Sequence, residues 1–179
     1  MSLFVKNYMK EGQKLPIYGV GPYITIGMFI LTAIVIILIG YVFPCGILEG
    51  IWVWVFRITG VVLIITGMLV WFIGAIRSDM DKNITENILK TDGIYGWVRN
   101  PMYSGWWLII TGTSFMWHNV WVLAMIIVNW TIMTVALKNT EEKWLKDLYG
   151  QEYEEYLKRV NRCIPWKRRN KSFEKEKNA

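Results

Sequence analysis

The feature that most constrains this chain is the length of its uncharged apolar runs. No charged side chain occurs from Tyr23 to Val42, and the run from Ile51 to Ile76 contains only Arg57. A helix rises about 1.5 Å per residue, so about 20 residues cover the roughly 30 Å hydrocarbon core of a bilayer. Runs of this length are typical of membrane-spanning helices. We therefore predict an all-α, polytopic membrane helical bundle.

Two shorter apolar segments follow a hydrophilic stretch, and a turn at His118-Asn119 separates them. The first begins at Asn100-Pro101, where Asn is a favoured N-cap and Pro a favoured first helical residue. The sequence thus predicts about four transmembrane helices. They cover residues 23–42, 51–76, 101–116 and 120–137.

The chain becomes charged after the last span but keeps a helical period. Apolar residues recur at helical spacing on both sides of Gly150, which is a typical helix stop. We predict two C-terminal amphipathic helices, at 138–149 and 151–160. Residues 1–166 then form a single membrane domain, and the basic tail at 167–179 is predicted to be disordered.

The net charge of +6 is compatible with nucleic acid, but the basic residues lie next to the apolar spans, which favours a membrane surface. The 43–50 loop and the 117–119 turn carry no Lys or Arg. The positive-inside rule therefore predicts a multi-pass protein with both termini cytoplasmic, in the cytoplasmic membrane if the source is prokaryotic. Cys45 and Cys163 occur without a CxxC motif or a nearby His, so no metal site is predicted.

Glycines recur every seven residues in two of the spans, at Gly60, Gly67 and Gly74 and again at Gly105 and Gly112. Such stripes let helix backbones approach closely in lipid. Glycine is also common in membrane helices generally, so the pattern leaves both interpretations open.

A polar, Gly-rich hinge from Gly93 to Gly105 links the second and third spans and carries Arg99. About 35 residues later comes a pair of glutamates, Glu141 and Glu142. Two further blocks follow, Gly150-x-x-Tyr153-x-x-Tyr156 and Arg162-Cys-Ile-Pro165. With the predicted spans, the hinge and the glutamates lie on the same membrane face.

This ordered set of motifs resembles the integral-membrane methyltransferases, the isoprenylcysteine carboxyl methyltransferase and phospholipid methyltransferase group. Their signature reads roughly G-x-Y-x-x-x-R-[HN]-P-x-Y-x-G, then Glu-Glu, then G-x-x-Y-x-x-Y and R-x-I-P. The resemblance implies S-adenosylmethionine as methyl donor. It also implies a lipophilic small-molecule or lipidated acceptor in the membrane, most like isoprenylcysteine carboxyl methylation.

Three alternatives remain beside that implied function. They are a phospholipid amine methyltransferase, a relative of the NADPH-dependent sterol reductases, and a non-catalytic membrane protein. The sequence does not predict the oligomeric state.

The resemblance also suggests which side chains form the site, since the ligand has a carboxylate, an ammonium, a sulfonium and a flat base. Arg99 or Arg162 suits the carboxylate, the glutamates suit the ammonium or the ribose, and tyrosines suit the nucleoside. The candidate catalytic residues are Arg162, Glu142 and Asn100. The candidate cofactor-binding residues are Tyr95, Arg99, Asn100, Pro101, Tyr103, Gly105, Glu141, Glu142, Tyr153 and Tyr156.

Each of these residues also has a structural interpretation. Arg99 fits a membrane anchor, and the glutamates fit pairing with Lys138, Lys143 or Lys146 on a solvated helix. The tyrosines of the third block fit the apolar face of a helix.

Many members of the group have His after the hinge Arg, whereas this chain has Asn100. The only histidine, His118, is predicted at the opposite membrane face. No imidazole is then available as a general base, which suits an acceptor that is already anionic better than a protonated amine.

Overall fold

The computed structural model describes residues 12, 14–16, 19–41 and 46–165. Within them the chain forms helices and two isolated β-bridges, with no strand longer than a bridge. The predicted all-α class is therefore confirmed. The helices are α1 Gly21–Tyr41, α2 Ile51–Phe72, α3 Met80–Thr85, α4 Pro101–Phe115, α5 Val122–Asn139, α6 Glu141–Tyr149 and α7 Gln151–Arg159.

Three helical stretches of the described chain are long and apolar enough to cross a membrane: Gly21–Tyr41, Ile51–Arg77 and Val122–Tyr149. The remaining predicted span forms as α4, but its 15 residues reach only about 22 Å. By length, three rather than four helices therefore match a bilayer. The helix α4 packs against all three of the longer ones.

The start of α1 corrects one detail of the sequence prediction. Gly21 and Pro22 were expected to precede the helix, yet α1 begins at Gly21. Proline is tolerated in the first turn of a helix because the N–H that it lacks would have no intrahelical partner there.

The glycine stripes pack α2 directly against α4. A Cβ built on Gly67 would lie 2.6 Å from the carbonyl oxygen of Gly105, and one built on Gly60 would lie 2.7 Å from that of Gly112. Real Cβ atoms do not approach so closely, so only glycine permits this helix spacing. Of the two interpretations, close backbone approach is the one that the structure supports.

At each end of the bundle, backbone hydrogen bonds join segments that are distant in the sequence. At one end the His118 carbonyl accepts a hydrogen bond from Leu48 N at 2.8 Å. At the other, Arg99 N donates to the Asn161 carbonyl at 2.8 Å, and Asn100 N donates to the Arg162 carbonyl at 2.9 Å. The hinge therefore meets the C-terminal segment, and His118 lies at the far end of α4. Cys45, both termini and the predicted tail at 167–179 lie outside the described residues.

Candidate functional site

A cavity of about 850 Å³ opens between α1, α2, α4 and the start of α6. This volume falls within the range of about 300–1,000 Å³ that is typical of small-molecule sites. Its walls in the bundle are apolar and include Ile26, Phe29, Trp71 and Trp106. Its other end is polar. The predicted site residues that line it are Tyr95, Arg99, Asn100, Tyr103 and Glu141.

Beside the cavity, Glu142 holds two arginines at once. Arg162 donates from Nε to Oε1 at 2.7 Å and from Nη2 to Oε2 at 2.8 Å, a bidentate pair. Arg99 donates from Nη2 to Oε1 at 2.8 Å and from Nη1 to the Leu157 carbonyl at 3.2 Å. The arginine clamp, as we call Glu142, Arg99 and Arg162, thereby joins the hinge, α6 and the chain after α7.

Within the clamp, Arg99 keeps one unused donor. Its side chain is only 8% exposed, and its Nε is buried without a hydrogen-bond partner. Arg162 does not line the cavity and is occupied by Glu142, which raises the pKa of its guanidinium. Of the two arginines, only Arg99 lines the cavity.

Glu141, one residue earlier, has a different environment. Its Oε1 accepts a hydrogen bond from the Tyr103 hydroxyl at 2.5 Å and one from Val20 N at 3.3 Å. Within the described residues it forms no ion pair, and neither glutamate pairs with the nearby lysines. An uncompensated carboxylate in a largely apolar cavity favours a cationic group beside it.

Asn100 occupies the N-cap position of α4 but does not cap the helix with its side chain. Its backbone carbonyl instead accepts hydrogen bonds from Ser104 N and Ser104 Oγ, both at 3.0 Å. The side-chain Nδ2 is buried without a partner, and the residue lines the cavity. The predicted helix start at Asn100-Pro101 is confirmed, and only the side-chain cap does not form. The Asn100 backbone is also tied to the C-terminal segment, because Asn100 N donates to the Arg162 carbonyl.

One backbone feature of the site is not predicted by the sequence. After α2 the helix continues as a π turn, Ile73–Arg77, which contributes Ala75 and Ile76 to the cavity wall. The carbonyl of Gly74 in that turn accepts a hydrogen bond from the buried Tyr95 hydroxyl at 3.1 Å. No residue pattern announces such a turn, although π turns are frequent at functional sites.

The remaining predicted site residues lie outside the lining. Tyr153 and Tyr156 are buried on α7 with ring centroids 6.1 Å apart, and the Tyr156 hydroxyl donates to the Tyr95 carbonyl at 2.6 Å. Burial raises the pKa values of the Tyr153 and Tyr156 hydroxyls. Pro101 packs against Gly74 of the π turn, and Gly105 packs against Gly67 of α2. These four residues do not line the cavity; they contact the segments that do.

Next to the clamp, Cys163 is buried, and burial raises the pKa of its thiol to about 12. Ser104 Oγ donates to the Cys163 carbonyl at 2.7 Å, which fixes this segment against α4. No cluster of His, Cys, Asp and Glu suited to a metal occurs in the part of the chain that the structure describes.

Comparison with known proteins finds a family model, described as phospholipid methyltransferase, that matches residues 55–152. The protein-S-isoprenylcysteine O-methyltransferase of Schizosaccharomyces pombe is 36% identical over 85 residues, which is 47% of this chain and 36% of that protein. The methanethiol S-methyltransferase of Crocosphaera subtropica is 33% identical over 86 residues, 48% of this chain and 32% of that protein.

A probable protein-S-isoprenylcysteine O-methyltransferase of Oryza sativa subsp. indica is 27% identical over a longer stretch of 121 residues, 63% of each chain. The chain thus spans about a third of the length of the first two relatives. No solved structure matches it significantly.

Proposed function

This chain belongs to the phospholipid methyltransferase family, and on that premise we propose that it transfers a methyl group from S-adenosylmethionine to a lipophilic acceptor. The observation that carries the proposal is the polar end of the cavity. There Glu141, which forms no ion pair with the described residues, lines the same space as Arg99 and Asn100, whose Nε and Nδ2 atoms are buried without a hydrogen-bond partner.

These residues fit the charges of the methyl donor. Buried donors without a partner leave a free-energy cost that a ligand acceptor group removes, and a carboxylate suits the Arg99 guanidinium best. Glu141 lies where it can balance an ammonium or sulfonium charge. The bound donor supplies an electrophilic methyl group on sulfur, and the protein has only to hold and orient the two partners.

The apolar walls suggest where the acceptor lies. Ile26 and Phe29 on α1 and Trp106 on α4 offer a surface for an alkyl or prenyl tail. Because α4 is shorter than a bilayer core, its Asn100 end lies near the depth of the acyl chains when the far end is at the interface. A membrane-partitioned acceptor would reach this end without leaving the lipid.

The acceptor atom is proposed to be an anionic oxygen or sulfur. The relatives are named as O- and S-methyltransferases. A carboxylate is already ionised at neutral pH and needs no general base, whereas a thiol acceptor, with a reference pKa of about 8.5, first releases its proton to water. The only histidine is at the far end of α4. The chain therefore contributes alignment, an effect that can supply about 7–11 kcal/mol of the barrier, and exclusion of water by its apolar walls.

Binding of S-adenosylhomocysteine to detergent-purified protein tests the proposed cofactor. We expect binding to the unmodified chain and weaker binding to Asn100→Ala, which lacks the donor. Asn100→Asp is the sharper variant, because it keeps the side-chain shape and places a carboxylate oxygen there. It should bind most weakly if Asn100 faces an anionic group.

Two results would contradict this assignment. Tighter binding to Asn100→Asp would place a cation at this position, and no binding to the unmodified chain would remove the cofactor itself. Glu154→Gln, on the exposed surface of α7, serves as the matched control and should bind like the unmodified chain.

The proposed acceptor predicts that turnover depends on the apolar tail. Burial of each methylene contributes about 0.8 kcal/mol, so a series of thiol or carboxylate acceptors with growing tails should show steadily rising kcat/KM. A water-soluble headgroup analogue that is methylated as efficiently as its lipidated form would contradict a lipophilic acceptor.

A further inference from the structure

The apolar helix α2 carries one charged side chain on its outer surface. Arg57 is the only charged residue between Ile51 and Ile76. It lies within the stretch Ile51–Arg77, which is long and apolar enough to cross a membrane. The residue is exposed rather than packed between helices. In a membrane, Arg57 therefore faces the lipid and not the interior of the bundle.

The residues around Arg57 on the same face of α2 are apolar. Trp54 precedes it by three residues and Val61 follows it by four, so both lie beside it on the helix. Trp54, Ile58 and Val61 are all exposed. This face of α2 is thus a hydrocarbon-facing surface that contains a single guanidinium group.

Arg57 lies near the end of the bundle that is remote from the cavity. The neighbouring Phe56 ring stacks on that of Phe115, at the end of α4, with the ring centroids 4.8 Å apart. Arg57 follows Ile51 by six residues, or about 9 Å of helix.

The depth of this end is marked by exposed tryptophans, namely Trp52, Trp54, Trp117 and Trp121. Tryptophans of this kind are enriched at the headgroup level of a membrane. Long side chains on a helix point back toward its N-terminus, which for Arg57 is the direction of these tryptophans. The guanidinium group can therefore reach the headgroups while its stem lies along α2.

The protein offers Arg57 no counter-charge among its described residues, where the guanidinium group forms no ion pair. At this end of the bundle, the segments 42–50 and 116–121 contain Glu49 as their only acidic residue. A cation near the hydrocarbon core is costly unless an anion lies beside it. The anion has to come from outside the chain.

We propose that Arg57 binds the phosphate of an anionic phospholipid headgroup. A guanidinium group donates two parallel hydrogen bonds to phosphate oxygens and is more weakly hydrated than an ammonium group. Only a lipid brings a phosphate to this face, and its acyl chains then cover Ile58 and Val61. An anionic lipid is preferred over a zwitterionic one, because an amine in the headgroup already balances the phosphate charge.

This lipid site is independent of the proposed function. The residues of α2 that line the cavity are Trp71 and, in the π turn that follows, Ala75 and Ile76. They lie at the other end of the same helical stretch from Arg57.

A photoreactive lipid tests where the anionic headgroup lies. The full-length protein is purified in detergent and illuminated with a phosphatidylglycerol that carries a diazirine near its glycerol backbone. Adducts are then mapped by peptide-resolved mass spectrometry. High salt is used because it screens exposed charges more than a partly desolvated pair. We expect adducts at residues 51–61, and Arg57→Gln should lower their yield several-fold. Equal yields in the two proteins would overturn the proposal.

Two further variants separate a specific site from net charge. Arg57→Lys keeps the charge but loses the planar fork, so its adduct yield should fall between those of the unmodified chain and Arg57→Gln. Lys138→Gln removes one positive charge in the last turn of α5, at the opposite end of the bundle. It should leave the yield at 51–61 unchanged. A fall as large as that of Arg57→Gln would reduce the effect to net charge.

If Arg57→Gln does not fold, a comparison of lipids on the unmodified protein decides the question. A phosphatidylcholine probe with the same chains and the same diazirine should give several-fold fewer adducts at 51–61. Equal adduct yields from the two probes would contradict an anionic ligand.

The last two measurements identify the partner of Arg57. Excess inorganic phosphate should not displace the lipid probe, because it has no acyl chains to bury against α2. Displacement would assign the site to a soluble anion and reject a lipid. Glu49→Gln should leave the preference for phosphatidylglycerol in place. A preference that appears only in Glu49→Gln would make Glu49 the partner of Arg57 and exclude the lipid from the unmodified chain.

Discussion

Glu141 and Glu142 are consecutive residues of the same helix, yet they serve different parts of the molecule. Glu142 receives three hydrogen bonds from two guanidinium groups. Glu141 receives one from a phenol and one from a backbone amide, and faces the cavity. Neighbouring side chains on a helix point about 100° apart, so one of these two identical residues pairs with the arginines and the other lines the cavity.

The different environments of Glu142 and Glu141 show how the site accommodates buried acidic groups. In the clamp, the guanidinium groups of Arg99 and Arg162 both pair with the single carboxylate of Glu142. Arg99 Nε is left without a hydrogen-bond partner. On the cavity side, Glu141 forms no ion pair with any of the described residues. Stability should therefore depend chiefly on Glu142 and ligand affinity chiefly on Glu141.

Glu142→Gln should destabilise the protein most. It leaves the Arg99 guanidinium, 8% exposed, without its counter-charge, and loss of one partner of a buried pair costs about 3–5 kcal/mol. Since Arg162 is 23% exposed, we expect the lower part of this range. Thermal unfolding in detergent measures it, with Glu155→Gln on the exposed surface of α7 as control. Unfolding of Glu142→Gln at the temperature of the unmodified chain would remove the clamp from the stabilising contacts.

Glu141→Gln should act on binding instead. It removes the charge that we propose to face the ligand cation, and a charge-assisted contact contributes about 1.5–3 kcal/mol, roughly tenfold or more in affinity. Calorimetry with S-adenosylhomocysteine measures it beside the unfolding temperature. The reverse pattern, a large loss of stability with unchanged affinity, would exchange the roles of the two glutamates.

Gly19→Ala should destabilise the cavity side specifically. A left-handed backbone costs a residue with a Cβ roughly 1–2 kcal/mol, and here the Cβ would also lie 2.5 Å from Glu141 Oε1. Gly93→Ala is the matched control, because Gly93 has φ +57° and no atom within 4 Å of the added Cβ. Gly19→Ala should exceed it in loss of stability. Equal losses of stability in the two variants would mean that Glu141 does not contact the turn at Gly19.

Tyr156→Phe should have a smaller effect, confined to the clamp side. It removes the hydrogen bond from the Tyr156 hydroxyl to the Tyr95 carbonyl, and a neutral hydrogen bond contributes about 0.5–1.5 kcal/mol. We expect a modest fall in unfolding temperature with unchanged ligand affinity. A selective loss of affinity would extend the ligand site to α7.

Cys163 should show almost no reaction with maleimide in the folded protein at pH 8. Burial raises the pKa of its thiol to about 12, and the thiolate is the reactive form. Labelling should appear once the protein is unfolded. Rapid labelling of the folded protein would show that the clamp side is open to water.

Much of the fold follows from local properties of the sequence. Local sequence patterns predict the helices without any knowledge of which segments pack together. These patterns are the uncharged runs of bilayer length, the helix start at Asn100-Pro101 and the helix stop at Gly150. The helices begin and end near the predicted positions. The glycine spacing likewise indicated a close helix pair, although only the structure identified α2 and α4 as partners.

The division within the site was decided by tertiary structure. The sequence placed Arg99, Arg162 and the two glutamates in one region, but chemically identical neighbours cannot be assigned to different partners from their order. The direction of each side chain depends on how the start of α6 meets Val20, Tyr103 and Arg162. The same packing turned Asn100 away from its cap and brought Gly19 against Glu141. Hydrophobicity and helix signals act over a few residues, whereas these contacts join residues 20 to 121 positions apart.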